Sequence, residues 1–263
     1  MDAKNKNGPL KGLIVIDLTR VLAGPYASMI LSDLGARIIK VEPPLGDDSR
    51  EFSPFVNNQS AYFASLNREK ESIKLDLKSE KDKLIFEELV KNADILLENY
   101  KPGTMEKLGY GYKSLSKKYP NLIYASCSGF GQTGPWATKP AYDMIVQGMG
   151  GLMSVTGHEG QEPVRVGTSI GDITAGLFTT IGILASLIDK NKHGNGQAID
   201  VSMLDCQIAI LENAIARYFA TGESPPPGGS RHPAIAPFEC YRCKDGYIVM
   251  ACGNNAMFER MCR

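Results

Sequence analysis

The fold of this chain is decided by the stretch Leu13-Ile-Val-Ile-Asp17-Leu-Thr-Arg-Val-Leu-Ala-Gly-Pro25. Its first four residues are apolar and indicate a buried strand that ends at Asp17. From Pro25 to Leu34 the apolar residues recur with a helical period, and Arg37-Ile-Ile-Lys-Val-Glu42 is a second buried strand. This order of strand, helix and strand predicts two parallel strands joined by a crossover helix.

The same alternation continues along most of the chain. Ser79 is expected to be the N-cap of an amphipathic helix that ends at Lys91, and a long helix is expected to end near Thr221. Polar residues from Pro43 to about Lys70 predict an irregular stretch. Further strands are predicted at Ser72–Asp76, Asp94–Glu98, Leu122–Ser126 and Gln197–Val201. We therefore expect an α/β fold with a Rossmann-like parallel sheet covered by helices on both faces.

The C-terminal part has a different pattern. A proline- and glycine-rich stretch, Ser224-Pro-Pro-Pro-Gly-Gly-Ser230, indicates a linker. Beyond it, Lys244-Asp-Gly246 separates two strand-like runs, Phe238–Cys243 and Tyr247–Cys252, and predicts an antiparallel hairpin. The chain stops inside a predicted helix, Phe258–Arg263, so we expect it to be truncated at the C-terminus.

These patterns predict the domain organisation. The expected units are a large Rossmann-like domain at 1–222, a linker at 223–236, and the start of a smaller α+β domain at 237–263.

The composition is that of a globular protein, with 43% hydrophobic residues and 29 basic and 29 acidic side chains. The balanced charge gives no general footprint for nucleic acid. The residues from Met1 to Gly8 are polar and no apolar run reaches membrane length, so we expect a cytoplasmic protein without a membrane segment. Cys127, Cys206 and Cys252 are expected in the core. Cys240 and Cys243 have no second metal-binding pair, so we expect free thiols and no metal site.

Several common catalytic motifs are absent. The turn after the first strand, Thr19–Pro25, lacks the GxGxxG pattern of dinucleotide-binding folds. The chain has no P-loop, no GxSxG elbow, no HExxH and only three histidines. Nicotinamide, flavin and histidine-based chemistries are therefore poor candidates.

The stretch Arg165-Val-Gly-Thr-Ser-Ile-Gly-Asp172-Ile-Thr-Ala-Gly176 places one carboxylate before an apolar run, Leu177–Ile188, that predicts a buried helix. Asp172 is expected at or next to the N-cap, where the helix dipole favours the ionised carboxylate. The flanking Gly171 and Gly176 are expected to let another molecule approach closely. The local pattern fits either a structural N-cap or a covalent nucleophile.

Several segments also occur together in one order: Gly12–Pro25, Leu34–Pro44, Leu66–Arg68, Ser72–Asp76, Asp94–Gly103, Ser128–Pro135, Tyr142-Asp143, Arg165–Gly176 and Gly194–Gln197. In this order they resemble the family III CoA-transferases, the group that includes formyl-CoA and carnitine-type CoA-transferases and the related α-methylacyl-CoA racemases. The resemblance runs from about residue 10 to the end of the chain.

The resemblance implies an acyl-CoA:carboxylate CoA-transferase in which Asp172 is the catalytic nucleophile. CoA would move through a mixed anhydride and an aspartyl-CoA thioester, with the glycine-rich loops at Ser128–Pro135 and Gly148–Gly151 as donors to the oxyanion. Acyl-CoA and a carboxylic acid would be substrates, with no tightly bound cofactor. The family also implies an interlaced homodimer.

The resemblance further implies a CoA site. Its residues would be Arg20, Val21, Leu75, Lys78, Asn99, Tyr100, Lys107 and Tyr142. Lys78 and Lys107 would contact phosphates, Leu75 the adenine, Asn99 and Tyr100 the pantetheine, and Tyr142 the acyl region. Each also has an ordinary alternative, such as a solvated lysine, a core leucine or a packed aromatic ring.

Two alternatives to the transferase remain open. Racemases of this group resemble the transferases but carry a His where this chain has Tyr142, and tyrosine is a weak base near neutral pH. A CoA-binding fragment without catalysis is the second alternative. Short acids and dicarboxylic acids are the expected acyl groups by family analogy, and Phe52, Phe55, Tyr62 and Met203 are candidates for the acyl pocket or for the core.

Overall fold

The computed structural model describes residues 7–263, so the polar residues 1–6 lie outside the described part. Within it the strands are β1 Ile14–Asp17, β2 Arg37–Glu42, β3 Phe55–Val56, β4 Gln59–Ser60, β5 Glu71–Lys74, β6 Ile95–Glu98, β7 Ile123–Ser128, β8 Ala198–Ser202, β9 Phe238–Arg242 and β10 Tyr247–Ala251. The helices are α1 Ala23–Asp33, α2 Ala61–Asn67, α3 Glu80–Lys91, α4 Thr104–Lys107, α5 Tyr112–Lys118, α6 Asp143–Met149, α7 Leu152–Val155, α8 Ile170–His193, α9 Met203–Ile210, α10 Glu212–Thr221 and α11 Asn255–Cys262.

Six parallel strands form the main sheet, in the order β5-β2-β1-β6-β7-β8. Counted along the chain this is 3-2-1-4-5-6, the order of doubly wound sheets. The predicted parallel α/β sheet is therefore confirmed, with strand ends within two residues of those expected from the apolar runs.

Helices cover both faces of the sheet because successive strand residues point to opposite sides. On one face Ile16 and Leu96 pack with Phe86 of α3 and Leu115 of α5. On the other face Val15 and Ile95 pack with helices α1 and α8, which contribute Ala27, Leu31, Ile183 and Leu187. Both layers consist of buried apolar side chains, each of which stabilises the fold by roughly 1.5–3 kcal/mol when fully buried.

Two local expectations were wrong. The stretch predicted to be irregular contains a short 3-10 helix, Asp48–Glu51, the β3–β4 hairpin and α2. Helix α2 begins there because the Ser60 hydroxyl accepts the Phe63 N–H at 3.0 Å, a side-chain cap. The predicted long helix is broken after Ile210, where Glu212 has a φ of 29°.

The sequence had predicted a buried helix here, but one side of helix α8 is exposed. It begins at Ile170 rather than at Leu177, and Phe178, Ile181 and Ile188 on one side are 37%, 59% and 59% exposed. No apolar run of membrane length was expected, yet by length and composition alone α8 could cross a membrane: an 18-residue window of it has a mean hydropathy of 1.6. Half of that window is nevertheless buried inside the protein, as in the core helix of a globular domain.

The predicted hairpin is confirmed as a separate antiparallel pair, in which Phe238 on β9 lies opposite Ala251 on β10. The division into domains at 222 and 236, the dimer and the truncation stay predictions.

Candidate active site

The order of the strands places a crevice between the ends of β1 and β6. Strands β1 and β6 are neighbours. The strands that follow β1 in the chain are added on one side of it, and those that follow β6 are added on the other side, so the strand order reverses between these two. Ligands of open α/β sheets bind at such a point, beyond the carboxyl ends of the strands. Arg20 follows β1 and Asn99 follows β6. The Asn99 side chain accepts the Arg20 N–H at 2.8 Å and donates to the Arg20 carbonyl oxygen at 2.8 Å.

The turn after β1 has a strained backbone. Val21 has a φ of 66°, a conformation that β-branched residues rarely adopt. Its N–H donates to Asp47 Oδ1 at 3.2 Å, and Asp47 forms a buried ion pair with Lys40, in which Nζ and Oδ2 are 2.9 Å apart. The predicted CoA contacts at Arg20 and Val21 thus lie on a loop fixed by buried side chains.

The Arg20 side chain lies on the outer rim of this turn. Its Nη1 is 3.0 Å from Asp48 Oδ2, and its guanidinium lies 5.7 Å from the centre of the Tyr100 ring. Both members of the ion pair are more than one-third exposed, so this pair contributes little to stability and leaves a cation accessible to an anionic ligand.

Three of the predicted CoA residues line one cavity. Leu75, Lys78 and Tyr100 surround a space of about 210 Å³ that opens beyond β2, β5 and β6. Leu18, Thr104 and Leu108 complete its mostly apolar wall. The combination of an apolar slot with an exposed lysine at its edge suits a flat base joined to a phosphate.

Lys107 and Tyr142 are not brought to this cavity. Lys107 is exposed at the end of α4, and Tyr142, at the N-cap of α6, is 78% exposed. Their predicted roles at the phosphate and the acyl group stay predictions.

Asp172 lies in the first turn of α8, as its third residue. The N-cap is Ser169, so the placement of Asp172 at the N-cap was wrong. The carboxylate is partly exposed and accepts the backbone N–H of Ala23, the first residue of α1. The turn after β1 therefore reaches from Leu18 in the cavity wall, past Arg20, to the carboxylate of Asp172. Because Arg20 and Ala23 are three positions apart in the chain, their Cα atoms are at most about 11 Å apart.

The pKa of Asp172 is opposite to the expectation from the helix dipole. Burial raises it most, the neighbouring carboxylate of Asp143 raises it further, and the Ala23 N–H partly offsets both effects, so that the pKa is about 7. At neutral pH a carboxyl group with this pKa is divided between its acid and its base forms. Tyr62, from α2, faces the same carboxylates. Burial and then Asp172 raise the pKa of its phenol to about 12.

Asp143 is fixed by a chain of hydrogen bonds. Its Oδ1 accepts the Gly171 N–H at 2.7 Å and its Oδ2 accepts the Gln147 side chain at 2.8 Å. Gln147 is fully buried and accepts the Val166 N–H at 2.9 Å. Helix α6 and the loop before α8 are thereby joined around Asp172.

The glycines beside Asp172 admit parts of the same chain rather than another molecule, contrary to the expectation. A Cβ at Gly171 would lie 2.9 Å from Asp143 Oδ1 and 2.7 Å from a methyl of Val146. One at Gly176 would lie 2.7 Å from the Ala23 carbonyl oxygen. These glycines allow α6 and α1 to pack closely on the first turns of α8.

Some of the N–H groups in the glycine loops proposed as oxyanion donors already have partners within the protein. The N–H groups of Gly150 and Gly151 bond to Val146 and Gly148, and Gln132 N–H donates to Asp200. The donor that reaches Asp172 is Ala23, which sequence reasoning missed. Only the position of Ala23 at the start of the helix that follows the first strand pointed to it.

The candidates for the acyl pocket lie in different surroundings. Tyr62 stacks edge-on against Phe52 at 5.6 Å, whereas Phe55 is 51% exposed and Met203 is in the core. Arg231 and His232 line a second cavity of about 520 Å³ beside α9 and α10, which none of the predicted CoA residues lines.

The cysteines expected in the core are buried there, and within residues 7–263 all six are free thiols. In the same range no three His, Cys, Asp or Glu side chains are grouped so as to hold a metal ion.

The comparison with known proteins decides the family. The profile of CoA-transferase family III matches residues 10–263. The chain belongs to this family.

Named relatives of this family III chain are transferases. It is 51% identical over 257 residues to acetyl-CoA:oxalate CoA-transferase of Acetobacter aceti, and the matched region is 97% of this chain and 66% of that relative. It is 43% identical to succinyl-CoA:glutarate CoA-transferase of Mus musculus, over 97% of the chain and 59% of the relative. The chain thus spans less than two thirds of the length of either protein.

A solved structure agrees with the fold. The crystal structure of a CAIB/BAIF family protein from Brucella suis superposes with a TM-score of 0.90 at 43% identity, over 97% of this chain and 69% of that one. The chain therefore shares the α/β fold of that CAIB/BAIF family protein.

Proposed function

We propose that the protein is an acyl-CoA:carboxylate CoA-transferase with Asp172 as its nucleophile. The observation that carries the proposal is the partly exposed carboxylate of Asp172, which has a pKa of about 7 and accepts one backbone N–H at the end of the turn that leads from the 210 Å³ cavity. Burial makes the ionised carboxylate more basic than an ordinary aspartate, which increases its reactivity toward a thioester carbonyl.

The reaction has four steps in this proposal. An Asp172 oxygen attacks the carbonyl carbon of the donor acyl-CoA, and the C–S bond breaks to give a mixed anhydride and the CoA thiolate. The thiolate attacks the Asp172 carbonyl carbon, which releases the donor carboxylate and leaves an aspartyl-CoA thioester. An acceptor carboxylate displaces the thiolate in the same way. The thiolate then attacks the acceptor carbonyl, which frees Asp172 and the new acyl-CoA.

The predicted CoA residues divide the binding between them. Leu75 would hold the adenine and Lys78 a phosphate, with Arg20 at the rim and Val21, Asn99 and Tyr100 beside the pantetheine. The relatives named for oxalate and glutarate suggest short dicarboxylic acids as the acceptors for this chain too. CoA would be a substrate rather than a resident cofactor, and the protein would act as a homodimer in the cytoplasm.

The test is mass spectrometry of the Asp172 peptide after incubation with acetyl-CoA, succinyl-CoA and related thioesters, followed by hydroxylamine. We expect a hydroxamate on Asp172 and none in Asp172→Asn. Asp189→Asn, at the exposed far end of the same helix, is the matched control and should label like the wild type. CoA binding without any adduct would contradict the proposal and favour the catalytically silent alternative.

The racemase alternative has its own signature. It requires incorporation of deuterium at the α-carbon of an acyl-CoA in heavy water without any acceptor acid. Tyr142 lacks a basic side chain at neutral pH, so we expect no incorporation.

A further inference from the structure

The turn between β1 and α1 is held by side chains at almost every polar backbone group. The Thr19 N–H donates to Asp17 Oδ1 at 2.8 Å, and Lys40 Nζ donates to the Thr19 carbonyl oxygen at 2.7 Å. Asn99 binds both backbone groups of Arg20, and Asp47 accepts the Val21 N–H. The backbone of residues 19–21 therefore has no freedom to settle into an unstrained conformation.

The charges that hold it are buried. The Lys40 and Asp47 side chains are 1% and 0% exposed, and so are those of Lys70 and Asp17 in the neighbouring pair. Although burial opposes it, Lys40 keeps the pKa of Asp47 below its usual value, so the Asp47 carboxyl is ionised at neutral pH. Buried ion pairs of this kind seldom stabilise a fold more than apolar residues of equal volume would. The Lys40–Asp47 pair therefore calls for an explanation other than stability.

The turn leads directly to the candidate nucleophile. Val21, with its φ of 66°, is followed by Leu22 at the N-cap of α1 and by Ala23, whose N–H binds the Asp172 carboxylate. Gly24 packs so closely on Thr19 that a Cβ there would lie 2.3 Å from the threonine side chain. The direction of the Ala23 N–H thus depends on the conformation imposed at Val21.

We propose that Lys40 and Asp47 are positioning residues, which hold the strained Val21 turn so that the Ala23 N–H points at Asp172. This inference rests on the proposed role of Asp172. The pair acts through the backbone and does not contact substrate.

The principal test is the pKa of the Asp172 carboxyl, measured by carbon-13 NMR without substrate and assigned by its loss in Asp172→Asn. The charged and titratable groups around Asp172 are Asp143 from α6, Tyr62 from α2 and Cys127 from β7. These remain unchanged in the variants. Asp47→Asn removes a negative charge, which alone would lower the pKa of Asp172. Loss of the Ala23 hydrogen bond would instead raise it, by about one unit, a tenfold change in proton affinity.

A second variant guards against misfolding. Lys40→Met combined with Asp47→Asn removes the pair without leaving a buried unpaired charge, so it should fold. We expect the same rise in the pKa of Asp172, and about a twofold smaller ionised fraction of Asp172 available for labelling by acyl-CoA at pH 8. Asp94→Asn is the matched control, because Asp94 also accepts a backbone N–H, from Ile14 at 3.0 Å, and pairs with a lysine, Lys190, but at the amino ends of the strands.

Relief of the strain supplies a third measurement. In a Val21→Gly background a positive φ costs little. There, Asp47→Asn should change the proton affinity of the Asp172 carboxylate by no more than about twofold. A pKa of Asp172 that stays unchanged or falls in both pair variants, or that rises equally in Asp94→Asn, would overturn the inference. A wild type that forms no acyl adduct would instead refute the proposed function, and the NMR comparison would still decide the role of the pair.

Discussion

Asp143 lies beside Asp172, with its Oδ1 2.7 Å from the nitrogen of Gly171, the residue before the candidate nucleophile. Two influences raise the pKa of Asp172 to about 7: burial is the larger, and the Asp143 carboxylate is the second. One side chain therefore both fixes the start of α8 and sets the charge of Asp172.

Asp143→Asn should lower the pKa of Asp172, because it removes the neighbouring negative charge and keeps an oxygen that can accept the Gly171 N–H. If this pKa falls by one unit, the ratio of the transferase activity at pH 6 to the plateau activity at pH 8 should be about fivefold higher in the variant than in the wild type. The measurement is the initial rate between pH 5 and 9. Asp205→Asn, in the first turn of α9, is the control and should keep the wild-type profile.

Asp172→Asn should stabilise the fold at pH 8 but not at pH 4. The folded-state pKa of about 7 lies above the unfolded value of about 4, so the unfolded chain releases its proton first and stability falls as pH rises between these values. After allowance for the partial exposure of the group, we expect a gain of about 1–2 kcal/mol at pH 8. Urea unfolding of both proteins at the two pH values measures it. Equal differences at pH 4 and pH 8 would show that Asp172 titrates normally.

Lys78→Ala should weaken CoA binding about fivefold and reduce its dependence on salt, since Lys78 lies at the edge of the 210 Å³ cavity. Isothermal titration calorimetry at two salt concentrations measures both effects. Lys81 is the matched control, because it is exposed nearby on α3 but does not line the cavity. If Lys81→Ala weakened binding as much as Lys78→Ala, a general surface charge would explain the attraction.

Gly176→Ala should slow labelling of Asp172 and destabilise the protein by about 1–3 kcal/mol, because the new methyl group would push α8 away from Ala23. Thermal unfolding and the labelling rate are measured together. Gly253→Ala, where a Cβ meets nothing within 4 Å, should have little effect on either. An Asp172 that reacts normally in Gly176→Ala would mean that α8 tolerates the shift.

Much of the fold could be predicted from local sequence. The runs that end at Asp17 and Glu42 gave β1 and β2, because a fully buried parallel strand is apolar on both faces. The exposed side of α8 could not be seen in the same way, since apolar composition does not tell which neighbours a helix has.

The candidate site was only partly predictable. Leu75, Lys78 and Tyr100 line one cavity. The resemblance to the family had placed all three in one CoA site. The positive φ of Val21 and the raised pKa of Asp172 depend on Asp47 and Asp143, which are distant in sequence and approach only in the folded chain. No local pattern carries that information.

The hydrogen bonds that hold residues 19–21 also have a consequence for evolution. With these backbone groups already engaged by the protein, a ligand at this rim can be recognised only through side chains, chiefly that of Arg20. Position 20 can then change without rebuilding the loop around it. Related transferases can diverge in what they accept here by exchanging one side chain on an inherited scaffold.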